Sequence, residues 1–209
     1  MKTHSELYSL AKIVNESPAW YFNIPIYQRL YVWSNDQVLT LLNDLINAYE
    51  RGEEIFFLGG VLLVEQEDLA VRTFDLIDGQ QRFTTLWLLS QVWRRALTPF
   101  LTVTDGKSVK PRLQFGIRPE VNAFMGSLLY ETNTYQHSPD EATKRMRNTL
   151  ELVNAIFEKR GLPKEIDKED YLKKLTSFVY EKVQFVVTNV PQKTDLNKLW
   201  LFGSSRGSP

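Results

Sequence analysis

Leu7, Leu10, Ile13 and Val14 recur at three- and four-residue spacing, which predicts a short amphipathic helix ending before Pro18. Residues 20 to 26 read as extended chain, with Pro25 marking the edge or the exit of a strand. A second helix is predicted from Ser34, with Gln37 three positions on as the capping-box partner. Its apolar stripe is Val38, Leu41, Leu42, Leu45, Ile46 and Tyr49, the face of a helix packed on a core. The run from Ile55 to Val64 is built of β-formers interrupted by Gly59 and Gly60, a pair that marks a bulge or a close approach of backbone or ligand. A turn-like Glu65-Gln66-Glu67-Asp68 leads into the partly alternating Val71 to Ile77, so the two runs are expected to form a hairpin. Asp78-Gly79 then breaks the strand. Phe83, Leu86, Trp87, Leu89 and Trp93 carry a helical pattern through about Leu97, giving the order strand, tight turn, helix.

Beyond it, residues 98 to 111 read as a polar loop holding Pro99, Gly106 and Pro111. Leu113 to Phe115 follows as a short strand and Pro119 to Tyr130 as a helix. A second loop is expected at 131 to 139. The pattern is helical from Pro139 to Arg160, closed by Gly161 with Pro163 beyond, and again from Lys168 to Tyr180. Val183 to Val190 is the last strand. The loop at 98 to 111 is the expected boundary between a mixed α/β part, residues 1 to 97, and a mostly helical part with one strand, residues 98 to 209.

Composition narrows the chemistry more than the fold. The 209 residues are 43% hydrophobic and 12% aromatic, enough for a sizeable core. Lys plus Arg and Asp plus Glu both total 25, so net charge carries no footprint of non-specific nucleic-acid binding. There are no cysteines, which excludes disulfides, thiolate metal sites and cysteine nucleophiles. His4 and His137 are the only histidines and neither has a partner at metal-ligand spacing, which argues against a histidine-based nuclease centre. The amino terminus is not a signal peptide, and no run approaches the roughly 20 apolar residues of a membrane helix. A cytoplasmic protein is expected.

Two clusters are rich in chemistry. The first is Asp78-Gly79-Gln80-Gln81-Arg82 at the strand-to-helix turn. A helix amino terminus exposes unpaired N–H groups and a partial positive charge, both suited to phosphate. Gly79 permits a tight turn and close approach to a ligand, and Arg82 offers a planar charged fork. Gln80 and Gln81 are neutral hydrogen-bonders for a water or a base edge, and Thr84 and Thr85 add hydroxyls in the first turn. Asp78 suits a magnesium ion, an orienting contact to Arg82 or a base; equally, Asp-Gly is an ordinary turn in which the aspartate caps the helix. The second cluster runs from Ile24 to Trp33, where Gln28 and Arg29 stand among Tyr27, Tyr31 and Trp33. Aromatics beside arginine suit stacking on a base or a cation–π contact, and packing serves them as well.

Together, Ile24-Pro25-Ile26-Tyr27-Gln28-Arg29-Leu30-Tyr31-Val32-Trp33 and the later Asp78 to Thr85 resemble the N-terminal domain of GmrSD-type, modification-dependent (type IV) restriction enzymes and related phage-defence proteins. The two motifs match in order and spacing, with the expected helix between them. The resemblance implies an α+β fold, a ParB/sulfiredoxin-like mixed sheet with flanking helices in residues 1 to 97, followed by a mostly helical region. It implies binding, and hydrolysis, of a nucleoside triphosphate with Mg2+. Asp78, Gln81 and Arg82 are then the candidate catalytic residues, with Asp78 the candidate magnesium ligand. Gly79, Gln80, Thr84, Thr85, Tyr27, Gln28 and Arg29 are the candidate nucleotide-binding residues.

The carry-over stops at two places. Relatives continue from an Asp-Leu-Asn-Lys-Leu segment, here Asp195 to Leu199, into a Phe-Glu-x-x-Asn-x-Arg-Gly stretch. In this chain Leu201 and Ser204 stand where the glutamate and asparagine are expected, although Arg206-Gly207 remain. The chain also lacks the residues of the C-terminal His-Asn-His type nuclease domain of full-length relatives, so it is expected to be a truncation, a fragment or a separate subunit. The leading expectation is a regulatory NTPase module of a DNA-restriction system, reaching DNA through the full-length protein or a complex and governing a nuclease domain or subunit elsewhere; homo-oligomerisation stays open. The alternative is a non-enzymatic module that binds modified DNA or docks a partner nuclease.

Overall fold

A computed structural model describes residues 3–66, 71–104, 108–130, 140–162 and 167–191. In chain order, β1 (His4–Ser9) leads into α1 (Leu10–Asn15), then β2 (Trp20–Ile24), α2 (Asn35–Glu50), β3 (Phe56–Glu65) and β4 (Arg72–Asp78). Next come α3 (Gln80–Trp93), a 3-10 turn at Arg95–Leu97, α4 (Thr98–Leu101), β5 (Thr102–Thr104), β6 (Val109–Pro111) and β7 (Leu113–Phe115). The described chain closes with α5 (Pro119–Tyr130), α6 (Glu141–Arg160), α7 (Lys168–Glu181) and β8 (Val183–Val190). No helix among the described residues is long and apolar enough to cross a membrane.

Six strands form one mixed sheet in the order β1-β8-β3-β4-β2-β7, and β5 pairs with β6 in a separate hairpin. The β3–β4 pair is antiparallel, as the hairpin pattern predicts, with a register shift between Leu62 and Leu63. β2 runs parallel to β4 on one side and to β7 on the other. This arrangement positions the site. Parallel neighbours end on the same edge of a sheet, so the segment leaving β2 at Ile24 and the turn leaving β4 at Asp78 emerge side by side. Two motifs far apart in sequence therefore meet at the carboxyl ends of adjacent parallel strands, where open α/β sheets hold ligands.

One face of the sheet carries Trp20, Phe22, Phe74, Leu76, Val61, Leu63, Phe185 and Val187 into a single core shared with the helices. The alternating positions form two small clusters, Tyr21–Val71–Val103 and Val64–Ile77–Val190. α3 is the central helix and is buried on almost every side, Thr84, Thr85 and Ser90 included. α2 buries Val38, Leu41, Leu42, Leu45 and Ile46, and its amino terminus holds the complete Ser34/Gln37 capping box.

Several expectations give way to the structure. Residues 4 to 9 are an edge strand antiparallel to β8, so the helix expected from Leu7 starts only at Leu10, capped by the Ser9 hydroxyl. Residues 98 to 104 and 108 to 111 are not a plain loop. Pro99 sits at the start of α4, where a missing N–H costs nothing, and β5–β6 buries Val103 against Tyr21 and Val71. α3 stops at Trp93 because Arg94 and Arg95 adopt φ of 50° and 52°, outside the helical region. β8 lies between β1 and β3, so strands from both ends of the chain share the sheet. The loop expected at 131 to 139 and the segments around Asp195 to Leu199 and Trp200 to Gly207 lie outside the described residues.

Candidate functional site

At the end of β4, Gly79 turns the chain with φ of 89°. A Cβ there would lie 3.1 Å from Val61 Cγ2 and 3.4 Å from the Gly60 carbonyl, so glycine suits the turn for space as well as conformation. Asp78 does not cap the helix: its carboxylate accepts the Gly79 N–H at 2.8 Å, and α3 has no side-chain cap. The first helical bond runs from Phe83 N to Gly79 O at 3.0 Å. The N–H groups of Gln80, Gln81 and Arg82 therefore lack intrahelical acceptors and form the positive end of the α3 dipole.

This turn forms one wall of a cleft of about 530 Å3. Asp78, Gly79, Gln80, Gln81 and Arg82 line it from the turn; Gln28, Arg29 and Trp33 line it from the segment after β2. The two expected clusters thus converge on one cavity. Two guanidinium groups and one carboxylate share it. Among the described residues neither Arg29 nor Arg82 has a carboxylate within ion-pair distance, so the cleft carries excess positive charge. Gln80 is buried, and its Oε1 has no hydrogen-bond partner.

Arg82 is anchored as well as charged. Its Nη1 donates to Leu58 O at 2.5 Å and its Nη2 to Gly60 O at 2.6 Å. It can reach them because residue 59 is glycine: a Cβ there, at φ 100°, would lie 2.1 Å from Nη1. The register of β3 against β8 shifts between Phe57 and Gly60, so Gly59-Gly60 is a bulge and a close approach at once. The side chain that approaches is Arg82, a partner no sequence signal identifies, since the accepting atoms are backbone carbonyls.

The segment after β2 has no ladder of its own and is held by side chains. Gln28 Nε2 donates to Ile77 O at 3.0 Å. Gln81 Oε1 accepts the Val32 N–H at 2.9 Å, and Gln81 Nε2 donates to Leu30 O at 3.0 Å. The buried Tyr31 hydroxyl meets Thr85 at 2.8 Å and Thr149 at 3.1 Å, and burial pushes it above its ordinary pKa. Thr84 and Thr85 are buried in the core and do not line the cleft. Tyr27 is 64% exposed outside it, with its hydroxyl raised by partial burial and by the nearby Asp75 carboxylate. Asp75 is itself raised by burial, opposed by hydrogen bonds from Asn23 and Gln66. That polar trio goes unnoticed in the sequence because it is assembled from β2, β4 and the residue that follows β3.

Among the described residues no group of three or more His, Cys, Asp or Glu stands ready for a metal ion. Among the described residues Asp78, exposed at the cleft, is the single carboxylate that lines it. One carboxylate completed by phosphate oxygens and water is the usual way proteins hold magnesium with a nucleotide, so the donor set fits that ion and does not fit a stand-alone metal centre.

A mixed sheet that brings a helix amino terminus and two arginines, neither with a carboxylate partner among the described residues, to one cleft defines an α/β module with a positively charged cleft. Residues 6–202 match the family model of the GmrSD restriction endonuclease N-terminal domain, and the chain belongs to that family. It is thus a module of the restriction, or phage-defence, kind. No curated protein matches the chain.

Proposed function

We propose that the cleft binds a nucleoside triphosphate and supports its hydrolysis, and that nucleotide turnover regulates a nuclease carried on another domain or subunit. The observation behind this reading is that the first turn of α3, whose N–H groups lack intrahelical acceptors, lines a cavity shared with Arg29 and Arg82. Phosphate oxygens accept those N–H groups and the guanidinium donors, while the helix dipole favours the negative charge. Asp78 holds the magnesium ion, which neutralises phosphate charge when bound. Gln80 lines the cleft with its Oε1 unpartnered, so its amide is the one left available to a base edge or to the attacking water. Arg82, fixed on two carbonyls, meets developing charge without having to reorganise, which is how preorganised donors lower a barrier. Trp33 and Arg29 offer a stacking surface at the opposite wall.

The test is turnover and binding on the whole chain and on a full-length relative. Asp78→Ala and Arg82→Ala should each abolish nucleotide hydrolysis while circular dichroism stays native; unchanged turnover would end the proposal. A second reading has one observation in its favour: Ile26, Tyr27 and Ile117 are 51%, 64% and 79% exposed. Exposed apolar side chains of this kind fit a module that binds modified DNA or docks a partner nuclease. Parallel titrations with nucleotides and with modified and unmodified duplexes, at stated salt, separate the two. Saturable nucleotide binding without duplex binding supports the first.

A further inference from the structure

Two adjacent glutamines open α3 and their amides do opposite things. Gln80 leaves its Oε1 without a partner beside the cleft. Gln81 commits both ends of its amide to the backbone of the segment that carries Arg29 and Trp33, accepting from Val32 N and donating to Leu30 O. Accepting from one residue and donating to another two positions away is the pattern of a peptide group in a β-bridge, here supplied by a side chain. Gln81 is only 6% exposed, so water does not readily replace either bond. Residues 25 to 33 lie in neither helix nor strand, and no ladder holds them if this amide is removed.

We propose that Gln81 is a positioning residue: its amide fixes Arg29 and Trp33 as the wall facing the amino terminus of α3, and Gln80 is the glutamine that meets the ligand. The effect on affinity rests on the nucleotide reading above; the hold on the segment does not.

Hydrogen exchange at the Val32 amide, measured on the whole chain without nucleotide, tests the hold directly. In Gln81→Leu that amide should exchange about tenfold faster or more, the loss expected when one buried hydrogen bond is removed. In Gln80→Leu it should exchange as in wild type. Gln81→Glu adds a readout that packing alone would not move. Its protonated carboxyl can donate to Leu30 O and accept from Val32 N, as the amide does, whereas its carboxylate sets lone pairs against the Leu30 carbonyl. After correction for intrinsic exchange, Val32 should be protected at acid pH and freed toward neutral pH in Gln81→Glu, with no such profile in wild type. Arg29, Asp78 and Arg82 share the cleft, and Arg145 reaches Val32 O, but all four are common to every variant, so the profile is read as a difference from wild type.

The affinity arm titrates ATP and GTP with Mg2+. Freed Val32 should go with about tenfold weaker binding in Gln81→Leu, and in Gln81→Glu at neutral pH. Unchanged Val32 exchange in Gln81→Leu, or a flat profile in Gln81→Glu, would overturn the proposal; if Gln81→Leu does not fold, the Gln81→Glu profile decides. Wild-type affinity in a variant with a freed Val32 overturns the positioning role. Wild-type protein that binds neither nucleotide, yet shows the exchange pattern, contradicts the reading of the cleft and leaves the hold on the segment standing.

Discussion

Replacing Gly59 by alanine puts the anchoring of Arg82 to a sharp test. The new Cβ would lie 2.1 Å from Arg82 Nη1, far inside contact distance, and the residue would keep a φ of 100° that L side chains rarely adopt. The backbone strain costs about 1–2 kcal/mol. Relieving the clash means moving the guanidinium, which breaks its bonds to Leu58 O and Gly60 O. Bonds to a charged donor are worth about 1.5–3 kcal/mol each when buried, and Arg82 is part-exposed, so the pair adds about 1–2 kcal/mol. The expected loss is about 2–4 kcal/mol, measured as a fall in urea midpoint at unchanged slope. Gly60→Ala is the control: its Cβ would meet nothing closer than Val186 O at 3.9 Å, so a change within about 0.5 kcal/mol is expected. A double-mutant cycle isolates the contact. In an Arg82→Ala background, Gly59→Ala should cost only the strain, leaving a coupling of about 1 kcal/mol or more. Equal costs for Gly59→Ala in both backgrounds, or a cost no larger than that of Gly60→Ala, would refute the docking of Arg82 over the bulge.

Three further expectations follow from the same contacts. Tyr31→Phe removes the hydroxyl between Thr85 and Thr149 and should cost about 1–2 kcal/mol in urea unfolding, with α3 still helical. Ser34→Ala breaks the capping box of α2 and should cost about 1 kcal/mol, read the same way. Asp75 keeps its proton to higher pH in the folded chain than in the unfolded one, because burial raises its pKa above 3.8. The native state then binds more protons, so the stability this group contributes is present below 3.8 and is lost as pH rises through the raised folded value. Urea midpoints of wild type and Asp75→Asn from pH 3.5 upward should show that fall in the wild type and its absence in the variant.

Local signals carried far in this chain. The capping box at Ser34 and Gln37, the stripe of α2 and the break at Asp78-Gly79 are written in neighbouring residues, and the structure keeps all three. What failed depended on distant partners. β1 is an exposed edge strand whose only ladder among the described residues is β8, more than 170 positions further on in the chain, so its own residues carry little strand pattern. In the β5–β6 pair Val103 is the one buried apolar side chain among the described residues, too weak a signal to stand out from a polar loop. The strand at 183 to 190 is legible, but its place between β1 and β3 is not, because backbone ladders leave no mark of partner identity.

The candidate site divides in the same way. Asp78, Gly79, Gln80, Gln81, Arg82, Gln28 and Arg29 could be named from the two motifs, and the parallel pairing of β2 with β4 brings them to one cleft. Sequence could not tell the glutamines apart. Residue type is identical, and only the distance to Leu30 and Val32 distinguishes a strut from a free amide. Nor could it show that Thr84 and Thr85 turn into the core, since α3 is buried all round and its first-turn hydroxyls have no outward face.

The central claim is that phosphate docks on the amino terminus of α3. Amide NMR of the whole chain, titrated with ATP or GTP and Mg2+, tests it most directly. Saturable shifts at the N–H groups of Gln80, Gln81 and Arg82, with none at the amino terminus of α2, are the predicted result. Shifts confined to other parts of the chain at saturation, or none at millimolar nucleotide, would contradict it.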